Sequence, residues 1–296
     1  MAVVLDILAL AGIYGLFAIG LTLVFGVLEV LNLAHAATFA FAAIFAMFLV
    51  AEWHLQLWVG CAVAILAGGA VGVLTDRLAF RTLRGRVTSA WGRHMGPLLT
   101  SLGVATIIQG LDFTWFGFDP RHFPNQLLPA DYLLIGGQRI TDVSLVIIVV
   151  FLLIVVALSL VLSRTRWGAE IRAVAERGET AALFGIDTER RFMETMALAG
   201  MMAGMAGVAW GLTFNLASPE ISSQVDVKGF ALIILGGMGS VPGSLLGALV
   251  IAGVEVLGSQ WLPNGAQELV VFAVLFALLV ARPQGLLGRR LVAGAR

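Results

Sequence analysis

Eight long apolar runs divide this chain, at about Ile7–Leu28, Val30–Val50, Leu57–Leu74, Pro97–Phe116, Val143–Leu162, Phe192–Phe214, Phe230–Leu257 and Glu268–Ala281. At 1.5 Å of rise per residue, about 20 apolar residues span a hydrocarbon core ~30 Å thick, so runs of this kind cross a membrane. Lipid offers a backbone amide no hydrogen-bond partner, which forces each run to satisfy its own amides as an α-helix. Composition agrees: 59% of residues are hydrophobic and 12% are charged, where soluble domains carry roughly 25% charged residues. A water-soluble globular protein is excluded. Continuous rather than alternating hydrophobicity excludes an outer-membrane barrel. The 35 glycines have no three-residue period, which excludes collagen. Cys61, the only cysteine, lies inside an apolar run, leaving no disulfide framework and no thiolate metal cluster. Met1–Asp6 has no basic residue, so the first run is expected to be a retained span rather than a cleaved signal.

The connections between runs set the orientation. Arg77, Arg81, Arg84, Arg86 and Arg93 crowd one; Arg164, Arg166, Arg172, Arg177, Arg190 and Arg191 crowd another; Arg282, Arg289, Arg290 and Arg296 form a tail over 282–296. These fifteen of the 18 basic residues are expected in the cytoplasm, because short basic loops resist translocation. The loop Gly117–Asp142 holds Asp119, Asp131 and Asp142 against Arg121 and Arg139, and is expected outside. Counting crossings back from the first basic connection places the amino terminus outside.

The same count requires an even number of crossings between Phe214 and Glu268. The segment 228–257 is interrupted by Gly236-Gly237-Met238-Gly239-Ser240-Val241-Pro242-Gly243, a stretch incompatible with a continuous helix. Two short helices that enter from outside, turn within the membrane and return satisfy the count. Irregular backbone at that depth survives only inside protein or along a watery path.

Energy-converting and catalytic motifs are missing. The single lysine, Lys228, is followed by Gly229, so no G-x-x-x-x-G-K-[ST] phosphate loop exists. There is no H-E-x-x-H, and His35, His54, His94 and His122 lie in separate segments. No catalytic residue, bound metal or nucleic-acid partner is expected.

The loop 164–191 is the most informative polar stretch. Gly178 and Gly185 read as helix punctuation, giving two short amphipathic pieces along the membrane surface. Leu183, Phe184 and Ile186 are expected to be exposed. The stretch is either a solvated basic connector or a docking helix, since exposed apolar residues on a loop commonly mark a partner surface.

Three segments carry a resemblance. The run RWGAEIRAVAERGETAALFGIDTERR resembles the cytoplasmic coupling loop of branched-chain amino acid ABC transporter permeases of the Liv H type. GLTLVFGVLEVLNLAHAATFAFAA resembles that family's amino-terminal signature, and KGFALIILGGMGSVPGSLLGALVIAGVE its glycine-rich carboxy-terminal segment; RPQGLLG follows. At Ala36-Ala37 the chain departs from the family's usual small residue followed by an acidic or polar one. The resemblance implies an all-α polytopic bundle of the ABC importer permease fold in a bacterial-type cytoplasmic (inner) membrane. About seven full spans plus the broken re-entrant pair are expected, in one permease domain over 1–296. It implies three kinds of partner outside this chain: a second permease subunit, a paralogue by the same resemblance, two cytoplasmic ATPase subunits that carry ATP and Mg, and a periplasmic or extracellular substrate-binding protein. No cofactor is expected on this chain. Branched-chain or related amino acids are the implied solute.

Candidate residues follow. Asn32 and His35 are neutral polar groups near the break between the first two runs, one turn after Glu29. An ionised group at the bilayer centre costs roughly 2.5–3.5 kcal/mol, so Glu29 is expected at an interface. Asn32 and His35 either bond neighbouring helices or line the solute path with Gly236, Gly237, Gly239, Ser240 and Pro242. The coupling loop is expected to act through Arg172, Glu179, Ala181, Ala182, Leu183, Phe184, Gly185 and Ile186. Gly200, Gly204, Gly207 and Gly211 make a stripe of small residues on one helical face, the usual device for close packing in membranes. The competing reading is a self-sufficient secondary transporter or channel with Glu29, His35 or Glu255 handling protons, since broken helices suit that class equally well.

Overall fold

A computed structural model describes the backbone of residues 2–84, 90–124, 132–135, 138–261, 266–282 and 285–287. Arg86, Asp131, Arg289, Arg290 and Arg296 lie outside the described residues, as do the side chains of Arg93, His94, Arg139, Asp142 and Glu268. The described chain is helical apart from one short antiparallel hairpin, β1 (Tyr132–Ile135) with β2 (Gln138–Thr141). In order, the helices are α1 (Ala2–Leu28), α2 (Ala34–Ala51), α3 (Leu57–Thr75), α4 (Ala90–Phe116) and α5 (Asp142–Arg164). They continue with α6 (Arg166–Leu183), α7 (Thr188–Phe214), α8 (Ile221–Gly236), α9 (Val241–Trp261) and α10 (Ala266–Ala281). One turn of π-helix, Asp76–Phe80, extends α3.

Among the described residues, six helical stretches are long and apolar enough to cross a membrane: Val3–Leu28, Ala34–Ala51, Leu57–Phe80, Val143–Arg164, Thr188–Phe214 and Val241–Trp261. Every expected run reappears as helix. The second starts at Ala34 rather than Val30, because Glu29 adopts a left-handed conformation (φ 54°) that ends α1. The seventh is divided at Gly237–Ser240, where Gly237 holds φ 97°. Its arms are unequal, with 16 residues in α8 and 21 in α9. They begin before Lys228 and end after Leu257, because the polar first turns of α8 find partners inside the protein.

The core is built around α1. Ile13, Phe17, Ala18 and Val24 are fully enclosed by protein, whereas α5 leaves Val149, Leu152, Leu153 and Val156 exposed as a lipid-facing surface would be. The tightest pairing is between α3 and α7. A methyl group on Gly68 would fall 2.8 Å from the Gly200 carbonyl oxygen, and one on Gly69 2.7 Å from Met201. Gly204 meets the Ile65 backbone, while Gly207 and Gly211 face Phe39 and Met47 of α2. The glycine stripe of α7 therefore packs within the chain, against α3 and α2.

Two connections close the ends of the bundle. Beyond α4, the Arg121 and Ala217 backbones exchange hydrogen bonds of 2.8 and 3.0 Å, tying that loop to the α7–α8 junction. Past α10, the Leu286 and Leu287 amides donate to the Leu235 and Gly236 carbonyls at 2.7 and 3.1 Å. A helix leaves its last carbonyls without partners, so this strand caps α8.

Candidate translocation path and coupling site

The loop 164–191 folds as the two pieces its glycines predict. Thr165 starts α6 by accepting from the Gly168 amide at 3.1 Å, a cap that satisfies one of the unpaired amides of a first turn. The helix breaks at Arg177 (φ −157°, ψ 92°), one residue before Gly178. Gly185 follows with φ 84°, and Asp187 restarts helix by accepting from the Arg190 amide at 3.0 Å.

Side chains fasten this loop to the bundle. Trp167 Nε1 donates to Glu194 Oε2 at 2.7 Å, and Arg191 Nε lies 2.8 Å from Glu170 Oε2 while also pairing with Glu194. Ile171, Val174 and Ala181 are buried against Val27 of α1, with Leu28 and Phe192 beside them. A cavity of about 440 Å³ opens between Val27–Glu29, Val174–Thr180 and Phe192. Leu183 and Phe184 remain 88% and 84% exposed, and Arg172, Glu179, Ala182 and Gly185 are exposed with them. One expectation needs correction: Ile186 is half-buried against the α1 contact, near the buried Ala181. The chain turns back after Gly185, and the Ile186 amide donates to the Ala181 carbonyl at 3.2 Å. The exposed apolar knob is Leu183 with Phe184.

An Arg84 clamp stands beside the loop. Its guanidinium meets Asp76 at 2.9 Å and Glu189 at 3.1 Å, and sits 4.7 Å from the Phe192 ring centre. The end of α3 and the start of α7 are thus joined next to the point where the loop 164–191 enters α7. No sequence motif announces this clamp; an acid just past the run Leu57–Leu74, Asp76, is its only trace.

Asn32 and His35 are 4% and 2% exposed. Asn32 Oδ1 accepts from the Ala34 amide at 3.1 Å, starting α2. His35 Nε2 is 3.1 Å from the Phe17 carbonyl oxygen, and its ring packs 4.8 Å from that of Phe17. The amide of Leu33 donates to Ser101 Oγ of α4 at 3.2 Å. Gly236 and Gly237 are buried, Ser240 is half-buried, and Gly239 and Pro242 are exposed. Gly239 lies against Gly26 in the last turns of α1, and Gly237 against Gly285. Ser240 Oγ accepts from the Gly243 amide at 3.2 Å, and Pro242 occupies a first turn, where no donor is required. The glycine turn and the Asn32–His35 pair are therefore held by different neighbours.

At the opposite end, a cavity of about 270 Å³ is lined by Asp6, Ser144, Thr213, Glu255 and Ser259, among others. Glu255 is paired with Lys228 at 2.7 Å. Among the described residues, no group of three or more His, Cys, Asp or Glu is placed to hold a metal ion.

A helical bundle with several crossings, a broken helix pair and an exposed knob on a basic loop defines a multi-pass membrane permease. The family model described as branched-chain amino acid transport system / permease component matches residues 3–279, and the chain belongs to this family. It is 30% identical to the high-affinity branched-chain amino acid transport system permease protein BraD of Pseudomonas aeruginosa, over 95% of this chain and 94% of that one. It is 29% identical to the corresponding LivH protein of Escherichia coli, over 95% and 92% of the two chains. A more distant relative is the L-arabinose ABC transporter permease protein AraH of Azospirillum brasilense, 27% identical over 77% of this chain and 62% of that one. These relatives are transport subunits rather than enzymes, and this chain is a permease component of an ABC importer.

Proposed function

We propose that this chain carries branched-chain or related amino acids across a bacterial-type inner membrane, driven by two cytoplasmic ATPase subunits that bind ATP and Mg. A second permease, a paralogue, completes the translocating pair, and an external substrate-binding protein delivers the solute. The loop 164–191 is the ATPase contact, 228–257 the re-entrant segment, and 282–296 the cytoplasmic tail, within one permease domain over 1–296. The path runs by Asn32, His35 and the turn containing Gly236, Gly237, Gly239, Ser240 and Pro242.

One observation carries the coupling assignment. Leu183 and Phe184 are exposed on a loop fastened to α7 by Trp167 and Arg191 and resting on α1. A few apolar anchors seated in a pocket supply most of the energy of a protein contact, and these two are free to enter one. Movement of an ATPase gripping them would pass to α7 and α1, parting helices by hinge and shear.

The experiment is reconstitution of the complex in proteoliposomes with the binding protein inside none and outside all vesicles. ATP-dependent leucine uptake, with ATPase subunits copurifying in mild detergent, is the expected result. Uptake by this chain alone, without any ATPase, overturns the reading in favour of a secondary transporter.

A further inference from the structure

Two carboxylates inside the bundle have no role in the reading above. Asp112 on α4 is 1% exposed, and neither of its oxygens has a hydrogen-bond partner. Asp226 on α8 is half-buried, and its Oδ1 is also unpartnered. Between them, Gln109 joins the two helices by donating to Ser222 Oγ at 3.3 Å and to the Pro219 carbonyl at 3.4 Å. Asp112 follows Gln109 by one helical turn, and Asp226 follows Ser222 by one. Residues spaced in this way share a helix face, so a polar seam runs between α4 and α8.

A carboxylate without a partner in a low-dielectric interior is strongly disfavoured, and such groups persist in membranes where ions or charged solutes pass. Among the described residues, no cation is paired with this one. Lys228 is committed to Glu255, and Arg84, Arg121, Arg190 and Arg191 pair with other carboxylates. Burial of Asp112 within its own chain also removes a neighbouring subunit as the source of charge. A solute ammonium group meets the need, and an amino acid carries one.

Resting on the importer reading, we propose that the α4–α8 seam receives the α-ammonium group of the transported amino acid, held in turn by Asp112 and Asp226. Gln109 and Ser222 offer neutral polar contacts to its carboxylate. Passage on this route breaks the Gln109–Ser222 contact that links α4 to α8, by hinge or shear motion of the bundle. Leu33, bonded to Ser101 further along α4, marks where the seam continues toward Asn32.

The test is radiolabelled leucine uptake by the complete reconstituted complex carrying Asp112→Asn, Asp112→Glu or Asp226→Asn, with ATP hydrolysis measured alongside. Asp112→Asn should lower the maximal uptake rate about tenfold, the factor set by one lost charge-assisted contact. Assembly and ATP hydrolysis should be retained, and Asp112→Glu should recover part of the uptake. The exposed-loop variant Asp119→Asn should match wild type. If Asp112→Asn does not assemble, Asp226→Asn carries the same expectation. Wild-type uptake in both Asn variants, or equal loss of uptake and hydrolysis in every variant that assembles, overturns the seam. A wild-type complex that transports no amino acid overturns the importer reading instead, so the two failures are distinguishable.

Discussion

Lys228 Nζ lies 2.7 Å from Glu255 Oε1, a charge pair that joins the two arms of the α8–α9 hairpin. Tyr14 of α1 completes a triangle, donating to Glu255 Oε2 at 2.8 Å and accepting from Lys228 at 3.1 Å. The two charged side chains are 9% and 19% exposed. Removing one member of a buried pair strands the other and costs about 3–5 kcal/mol, whereas replacing both with apolar groups is close to neutral. Lys228→Met should therefore lower the melting temperature and the yield of assembled protein, and Lys228→Met with Glu255→Leu should regain most of both. Size-exclusion melting curves in detergent read the difference; a double variant as poor as the single one contradicts the coupling.

Phe184 tests the docking knob without disturbing the bundle. At 84% exposure its replacement by Asp should change stability by no more than about 0.5 kcal/mol. ATPase subunits should copurify poorly or hydrolyse ATP without driving uptake. Gly185→Val should act in the same direction through the backbone, because φ 84° is strained by about 1–2 kcal/mol for a residue with a β-carbon. Phe184→Asp complexes with wild-type retention, hydrolysis and uptake would defeat the assignment.

Close approach of α3 and α7 predicts the opposite pattern for Gly68→Val. The added carbon would meet the Gly200 carbonyl oxygen at 2.8 Å, which neither backbone can yield. Overpacking of this kind costs about 1–3 kcal/mol or more, and folded protein itself should be lost. Normal yield and thermal stability of Gly68→Val would show that the helices separate freely.

Sidedness of the hairpin is open to labelling. In a Cys61→Ala background, Ser223→Cys and Leu257→Cys, both exposed, should react with an impermeant thiol reagent added outside. Met238→Cys, 53% exposed in the turn whose Gly239 lies against Gly26 of α1, should resist the reagent added outside. Labelling of either outer site from the cytoplasm alone contradicts the crossing parity.

The helices were legible because lipid demands long apolar runs, and the loop 164–191 because glycines interrupt an amphipathic pattern. Gly178 marked the break within one residue. The start of α8 was not legible from hydropathy, since Ser222 and Asp226 lie ahead of the segment 228–257, and Ser222 meets Gln109 only across 113 residues of sequence. Ile186 was misjudged for a related reason: the reversal after Gly185 turns an apparently exposed residue inward. Asp112 did carry a signal, an acid near the end of the run Pro97–Phe116, and only its burial and lack of a hydrogen-bond partner give that signal meaning. The roles of Asn32 and His35 are less distinct than their polarity suggested, because each has a local backbone partner.

The hydrogen bonds from Leu286 and Leu287 to the end of α8 have a consequence for biogenesis. Ribosomes deliver α8 to the membrane well before residues 285–287, with α9 and α10 made in between. The last carbonyls of α8 must wait, hydrated or shielded by the insertion machinery, until that later strand arrives. Premature termination after α10 would thus yield a chain with all its long apolar helices inserted and one helix end unsealed, a lesion that membrane proteases could recognise.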